Sequence, residues 1–154
     1  FSKLNLYLAR LQRLDSKSEL FLDFSAQWAS NNLDSSAKMT AGGPYALRGY
    51  DVGVISGDTW YSTTAEIRHK LDPIKEEEFQ IIAFFERAEL KVNKSTWSNG
   101  ENHVTLSDVG AGINWNGSNQ WSARTYCAIQ VGASSPLVDT HPSPVLWAEI
   151  RKDF

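Results

Sequence analysis

The chain has few of the residues from which most enzyme, metal and nucleic-acid sites are built. It carries one cysteine, Cys127, in 154 residues, so it forms no internal disulfide. No Cys/His cluster has ligand spacing, so no metal site is assigned. Cys127 reads as a small residue packed in a wall. The three histidines, His69, His103 and His141, fall near strand ends or in loops with no recognisable nucleophile motif beside them. No catalytic residue is assigned, and the chain reads as a non-enzyme. Its 15 basic residues are outnumbered by 18 acidic ones, for a net charge of -3 and a pI of about 5.6. They are scattered without a stripe, which argues against nucleic acid as a partner. The 154 residues show neither a signal peptide nor an apolar run of helical transmembrane length. That lack does not exclude a membrane protein, because barrel strands alternate faces and are only mildly hydrophobic.

What the chain does have is aromatic residues and alternation. Six Trp and five Tyr suit a membrane-interface belt, and equally a carbohydrate-binding all-β domain. Between Lys3 and Ala9, Leu4, Leu6 and Leu8 share a face, and Arg10 breaks it, which places a boundary there. Leu20, Leu22, Phe24, Ala26 and Trp28 oppose Glu19, Asp23, Ser25 and Gln27. Further strands are predicted over Thr59 to His69, Phe79 to Val92, Val104 to Trp115, Trp121 to Val131 and Val145 to Phe154. The Phe79 stretch is apolar on both faces, and its β-branched and aromatic content decides for strand. Glu76, Glu77 and Glu78 point alternately to opposite faces, so they form a solvated rim and not a converging acid cluster. Gly110 and Gly112 share a face, leaving room for something to lie against the wall.

The connections alternate in length. They are short around Asp15, around Pro73 and at Asn116-Gly117, a hairpin turn signal. They are longer over Asn31 to Asp58, Lys94 to Glu101 (with Trp97 inside) and Gly132 to Pro144. Antiparallel membrane barrels alternate in this way, with short periplasmic turns and longer outer loops. On that reading Leu22, Phe24, Ala26, Ala123, Ile129 and Ile150 face lipid, and Ser25 and Ser122 face inward.

The longest connection, Asn31 to Asp58, shows no convincing secondary-structure period. A structureless loop of such length in a compact domain argues against the element assignment unless the loop is itself the working part, and this one reads as the working part. At its centre stands Gly42-Gly43-Pro44-Tyr45-Ala46-Leu47-Arg48-Gly49-Tyr50-Asp51. Glycines allow close backbone approach, Pro44 fixes a dihedral, and Arg48 is the stretch's single cation. Taken alone, this composition also fits a surface loop with a solvated arginine.

That stretch, followed by Ser56-Gly57-Asp58 and by Ala65-Glu66-Ile67-Arg68, resembles the TpsB transporters, the haemolysin activation/secretion proteins of bacterial two-partner secretion. Their loop carries Val-Arg-Gly-Tyr, here with Leu47 at the Val position. Leu11-Gln12, Gln27 and Leu33 extend the resemblance upstream, and it runs downstream to Phe154. It implies an all-β antiparallel transmembrane β-barrel, of which residues 1–154 are the C-terminal part. About seven strands of a larger barrel of about sixteen are present, with the N-terminal strands and the periplasmic POTRA domains absent from this sequence. On this reading Phe1 is a truncation point and Phe154 the natural C-terminus.

The resemblance further implies an outer-membrane pore that secretes and activates a large exoprotein of the TpsA type, a haemolysin, adhesin or contact-dependent toxin. It implies neither nucleotide nor cofactor, with outer-membrane lipid and, through Phe154, the barrel assembly machinery as further partners. The functional loop motif is Gly42, Gly43, Leu47, Arg48, Gly49 and Tyr50. In the superfamily the loop arginine meets an acidic residue on an inner wall strand, within a Phe-x-Asp-x-Gly-like pattern. Its closest match is Phe84-Phe85-Glu86-Arg87-Ala88, with Glu86 for Asp and Ala88 for Gly, which makes Glu86 the lumenal latch partner. Such a pair can be bidentate. The alternative is that Glu86 pairs with Arg68 or Arg124 and never meets Arg48.

Two other functions fit part of the pattern. A barrel assembly factor of the same superfamily shares the Arg-Gly-Tyr loop, and a soluble β-sandwich carbohydrate-binding module shares the Trp-rich strands. Gln27, Gly42-Gly43-Pro44 and Ser56-Gly57-Asp58 favour secretion.

Overall fold

The computed structural model describes residues 2–96, 99–139 and 144–154. Phe1, Trp97 and His141 lie outside them. Among the described residues nine strands form: β1 (Lys3–Arg13), β2 (Ser18–Ala29), β3 (Met39–Ala41), β4 (Ile55–Gly57), β5 (Thr59–Lys70), β6 (Glu78–Lys91), β7 (His103–Asn116), β8 (Trp121–Gln130) and β9 (Val145–Lys152). Seven make one antiparallel sheet in the order β1-β2-β5-β6-β7-β8-β9, and β3 pairs with β4 in a separate hairpin. The sheet is not closed; β1 and β9 are its edges. No helix among the described residues is long and apolar enough to cross a membrane, which says nothing of strands.

The period-2 pattern dictates the two faces. Register partners such as Thr64↔Glu86, Glu86↔Asp108 and Asp108↔Gln130 carry one parity across the sheet. One face carries the long loop. The other is bare and apolar, and every strand exposes a large hydrophobic there: Leu6, Leu22, Ile67, Phe85, Ile113, Ile129 and Ile150. A patch that crosses seven strands is far beyond what soluble monomers leave in water. Aromatic residues bound it. At one end Trp28 and Tyr61 meet edge-on at 5.6 Å; at the other, Phe79 pairs with Trp115 and Trp121 is exposed. Tyr61 pairs with Glu89, so the belt spans β6 from Phe79 to Glu89. That is about 33 Å along a strand, or about 25 Å of height at an ordinary barrel tilt, the thickness of an outer-membrane apolar band.

Several local expectations change. β1 runs through Arg10 to Arg13, because Arg10 lies exposed on the bare face and donates to Gln12 Oε1 at 2.8 Å without interrupting the ladder. The long loop contains the hairpin β3–β4 and a 3-10 turn at Ser35–Ala37. The β7–β8 turn is not a two-residue Asn-Gly turn. Gly117 is extended, and the left-handed residues are Asn119 and Gln120. Ala26 has outward parity but is almost fully covered, between its register partners Leu6 and Tyr61. Gly110 and Gly112 make room for the rings of Phe84 and Tyr126, which lie where a Cβ would project.

Candidate functional site

The loop between β2 and β5 turns back over the sheet and buries its tip. Gly42, at φ +89°, starts this return, and a Cβ there would collide with the Asp51 carbonyl oxygen. Gly43 also has positive φ, at +133°. The chain then folds tightly: the Tyr50 N–H donates to the Leu47 carbonyl at 3.0 Å, with Leu47 left-handed at φ 55°. That turn aims Arg48 and Gly49 at the wall. Leu47 and Tyr50 anchor it by packing with Trp60, Ala88, Leu90, Val104 and Leu106.

Arg48 is 4% exposed. Its Nη2 lies 3.1 Å from Glu86 Oε1 and 2.8 Å from Glu66 Oε2. Its Nε donates to Glu86 Oε1 at 3.2 Å, and its backbone N–H donates to Glu86 Oε2 at 2.7 Å. The guanidinium lies 3.4 Å from the centroid of the Phe84 ring and 4.9 Å from that of Tyr126, a stacked cation-π arrangement. Burial by itself would lower the Arg48 pKa; the charges and hydrogen bonds of Glu86 and Glu66 outweigh it and hold the pKa above the ordinary value.

The geometry differs from a simple fork-to-fork pair. One Glu86 oxygen is taken by the Arg48 backbone, so both side-chain nitrogens share the other, and Glu66 completes the cage. Arg68 lies elsewhere, 2.6 Å from Glu66 Oε1, and Arg124 is 3.4 Å from Glu149; neither occupies Glu86. A buried pair of this kind stabilises its seated state mainly in the sense that removing one partner is costly, about 3–5 kcal/mol.

The next two residues extend the attachment. The Gly49 N–H donates to Asp108 Oδ2 at 3.1 Å, and Gln130 Nε2 donates to the Gly49 carbonyl at 3.0 Å. Trp147 Nε1 donates to the Arg48 carbonyl at 2.7 Å. Two loop residues are thus held by one side chain from each of five adjacent strands: Glu66 on β5, Glu86 on β6, Asp108 on β7, Gln130 on β8 and Trp147 on β9. The Tyr50 hydroxyl donates to the Ser107 carbonyl at 3.0 Å and accepts the Ser107 N–H at 3.1 Å. Only a neutral phenol can do both, and burial raises its pKa accordingly.

A second cluster holds the loop's base. Asp58, fully buried, accepts the Leu33 N–H at 3.1 Å and the Lys94 N–H at 2.7 Å. Lys38 Nζ stands 3.4 Å from it and donates to the Val92 carbonyl at 2.6 Å. Buried Gln27 donates to the Asp58 carbonyl at 3.3 Å. Glu66, Asp108, Gln130 and Trp147 were not singled out by the sequence reading. Their usable signal is parity: each is a polar-capable side chain on the loop-bearing face of its strand. Among the described residues no group of three or more His, Cys, Asp or Glu is placed to hold a metal.

An antiparallel wall, open in this chain, with a belted apolar face on one side and a loop seated on the other has the build of a transmembrane β-barrel fragment. The model of one family, described as haemolysin secretion/activation protein ShlB/FhaC/HecB, matches residues 1–115, and the chain belongs to that family. It is 28% identical over 160 residues to the heme/hemopexin transporter protein HuxB of Haemophilus influenzae strain 86-028NP, and 26% to the HuxB of strain Rd. Both alignments cover 100% of this chain and 27% of the relative, so the chain spans about a quarter of the length of these curated relatives.

Proposed function

We propose that residues 1–154 are the C-terminal part of an outer-membrane pore that secretes and activates a large exoprotein by two-partner secretion. The observation that carries this reading is the seating of Arg48, from the middle of a long loop, in a buried cage on the inner face of the wall. An arginine that only had to keep a surface loop soluble would remain in water. In the complete protein the wall belongs to a larger barrel of about sixteen strands, with POTRA domains upstream that recognise the exoprotein in the periplasm. The bare face meets lipid, the loop-bearing face lines the lumen, and the latch sets whether the loop occupies it.

Transport on this account draws on no nucleotide, metal or cofactor. Gly42 and Gly43 shape the loop, Leu47 and Tyr50 anchor it, Gly49 allows close approach, and Arg48 with Glu86 forms the lock. Glu66 is the second carboxylate of that lock. Phe154, fully exposed beyond β9, is the residue this reading offers to the barrel assembly machinery. Membership of the secretion/activation family and the likeness to a transporter support secretion over barrel assembly as the job done.

The test is to produce the full-length protein with its exoprotein and measure exoprotein in the medium for wild type and Arg48→Ala at equal amounts of inserted barrel. The reading expects a large loss of secretion with the barrel still present. Normal secretion, together with a fall in other outer-membrane barrels, would instead mark an assembly factor.

A further inference from the structure

We propose that Asp108 holds the seated loop as a neutral carboxylic acid, its Oδ1 hydrogen being the donor that Gln130 Oε1 lacks, so that seating takes up one proton. Asp108 is thus a positioning residue of the latch. The proposal rests on the latch reading for its meaning in transport, but its test reads the proton and not secretion.

Strand register lines up a polar row across the loop-bearing face: Asp23↔Thr64, Thr64↔Glu86, Glu86↔Asp108 and Asp108↔Gln130. Glu86 and Asp108 are neighbours in that row and are 1% and 0% exposed. This chain alone covers them, so strands elsewhere in a complete barrel bring them no further partner. Two carboxylates buried side by side do not both stay ionised, because each charge raises the cost of the other.

The hydrogen bonds decide which of the two carries the proton. Glu86 receives three Arg48 nitrogens, and Glu66 receives Arg48 and Arg68. Both face cations and are therefore ionised. Among the described residues Asp108 has no ion-pair partner, and its one hydrogen bond is from the neutral Gly49 N–H to Oδ2. Its Oδ1 is buried without a partner, and so is Oε1 of Gln130. Gln130 Nε2 is committed to the Gly49 carbonyl, which fixes which end of that amide is oxygen. Two unpartnered acceptors on register partners need one donor between them, and a protonated Oδ1 is that donor.

The other charged groups around the pair leave this balance in place. Asp23 is one more acid, at the β2 end of the row, and it feels Glu86, Glu66 and Arg48. The loop contributes Arg48 and the phenol of Tyr50, while Arg124 on β8 and Glu149 on β9 pair with each other. His69 and His103, the described groups that ordinarily titrate near neutrality, lie at or near the ends of β5 and β7. A released loop leaves Glu86 and Asp108 to water, where each ionises as a free side chain does, so opening returns the proton. Raising the pH therefore favours opening, and acid surroundings hold the loop more firmly.

Hydrogen exchange of the 47–50 amides in the full-length protein in detergent, divided by the intrinsic rate at each pH, measures seating. Between about pH 5.5 and 7.5 wild-type protection should fall by up to about 100-fold, the linkage of one proton across that interval. Asp108→Asn fixes the neutral form: its carbonyl accepts the Gly49 N–H, and its amide N–H takes the place of the acid O–H. Its protection should be flat over the interval and exceed that of wild type at the upper end. Glu86→Gln, the same change one strand away, should release the loop at every pH. Infrared spectra at neutral pH read the proton itself, and wild type should show an acid carbonyl band that Asp108→Asn lacks. If Asp108→Asn does not accumulate, Gln130→Met takes its place; it removes the acceptor and should shift or abolish the acid band. Flat wild-type protection overturns the proposal, as does the same pH slope in wild type and Asp108→Asn. So does an Asp108→Asn loop released like that of Glu86→Gln, or an acid band unchanged by the substitution tested. None of these readouts depends on secretion, so a seated loop that proved irrelevant to export would sink the transport reading and leave the proton in place.

Discussion

Gly49 and Asp108 approach so closely that no side chain fits between them: a Cβ on Gly49 would stand 2.7 Å from the Asp108 Cβ. The Gly49 N–H makes use of that closeness by donating to Asp108 Oδ2. The glycine between Arg48 and Tyr50 is thus required by the wall opposite it, not by an unusual backbone angle. Gly49→Ala should prevent seating about as effectively as loss of Arg48 while leaving the barrel folded. Secretion at equal barrel levels checks this, and near-normal secretion would mean that the wall yields.

The two faces of the wall should respond oppositely to charge. Arginine in place of Leu22 or Ile129, on the bare face, should cost roughly 2–4 kcal/mol near the bilayer midplane. Ser122→Arg should be tolerated, since Ser122 lines an open cavity of about 520 Å³ on the loop-bearing face. Ser25 has inward parity but is a poorer site than parity alone suggests, because it bonds Ser62 at 2.7 Å and accepts from Trp60 Nε1 at 3.1 Å. Heat-modifiability of the full-length barrel is the readout, and equal losses at Ile129 and Ser122 would contradict the lipid assignment.

Asp58 should hold the base of the loop independently of its tip. Asp58→Asn puts its amide N–H against one of the two backbone donors, Leu33 or Lys94, and weakens the attraction to Lys38, at a cost of about 1–3 kcal/mol. The expected result is faster proteolysis in 31–38 and 92–96 with Arg48 still protected. Concerted release of base and tip would show that the loop is a single unit.

Much of this architecture was legible because a barrel wall has a strict period of two. The parity of each strand, from Leu4 and Leu6 to Leu146 and Ile150, needs only local sequence, and the short and long connections orient it. β3 and β4 were not legible, since three-residue strands leave no periodic trace. The extension of β1 past Arg10 was missed for a different reason: a charge ends an apolar face without ending a ladder. The site divides the same way. The motif around Arg48 is contiguous, and Glu86 falls in a recognisable pattern. Glu66, Asp108, Gln130 and Trp147 are brought together by pairing of strands far apart in the chain, and nothing local distinguishes them from other inward polar residues. Glu66 was the nearest to being found, as a mid-strand carboxylate on the inward face.

The second carboxylate changes what the latch should show. Glu66→Gln should impair seating less than Glu86→Gln. Glu66 contributes one contact to Arg48 and also serves Arg68, whereas Glu86 receives three Arg48 nitrogens. Exchange of the segment 47–50 in the two variants checks the order, and a larger effect from Glu66→Gln would reverse the assignment of the main partner.

The most direct measurement is the double-mutant cycle of Arg48→Ala and Glu86→Ala, read as secreted exoprotein at matched levels of inserted full-length barrel. Each single change takes the main charged partner from a buried group and should cost secretion heavily, whereas the double change should be little worse than either, the non-additivity of residues in direct contact. Losses that simply add would show that Arg48 and Glu86 act separately and that their buried contact is not the latch.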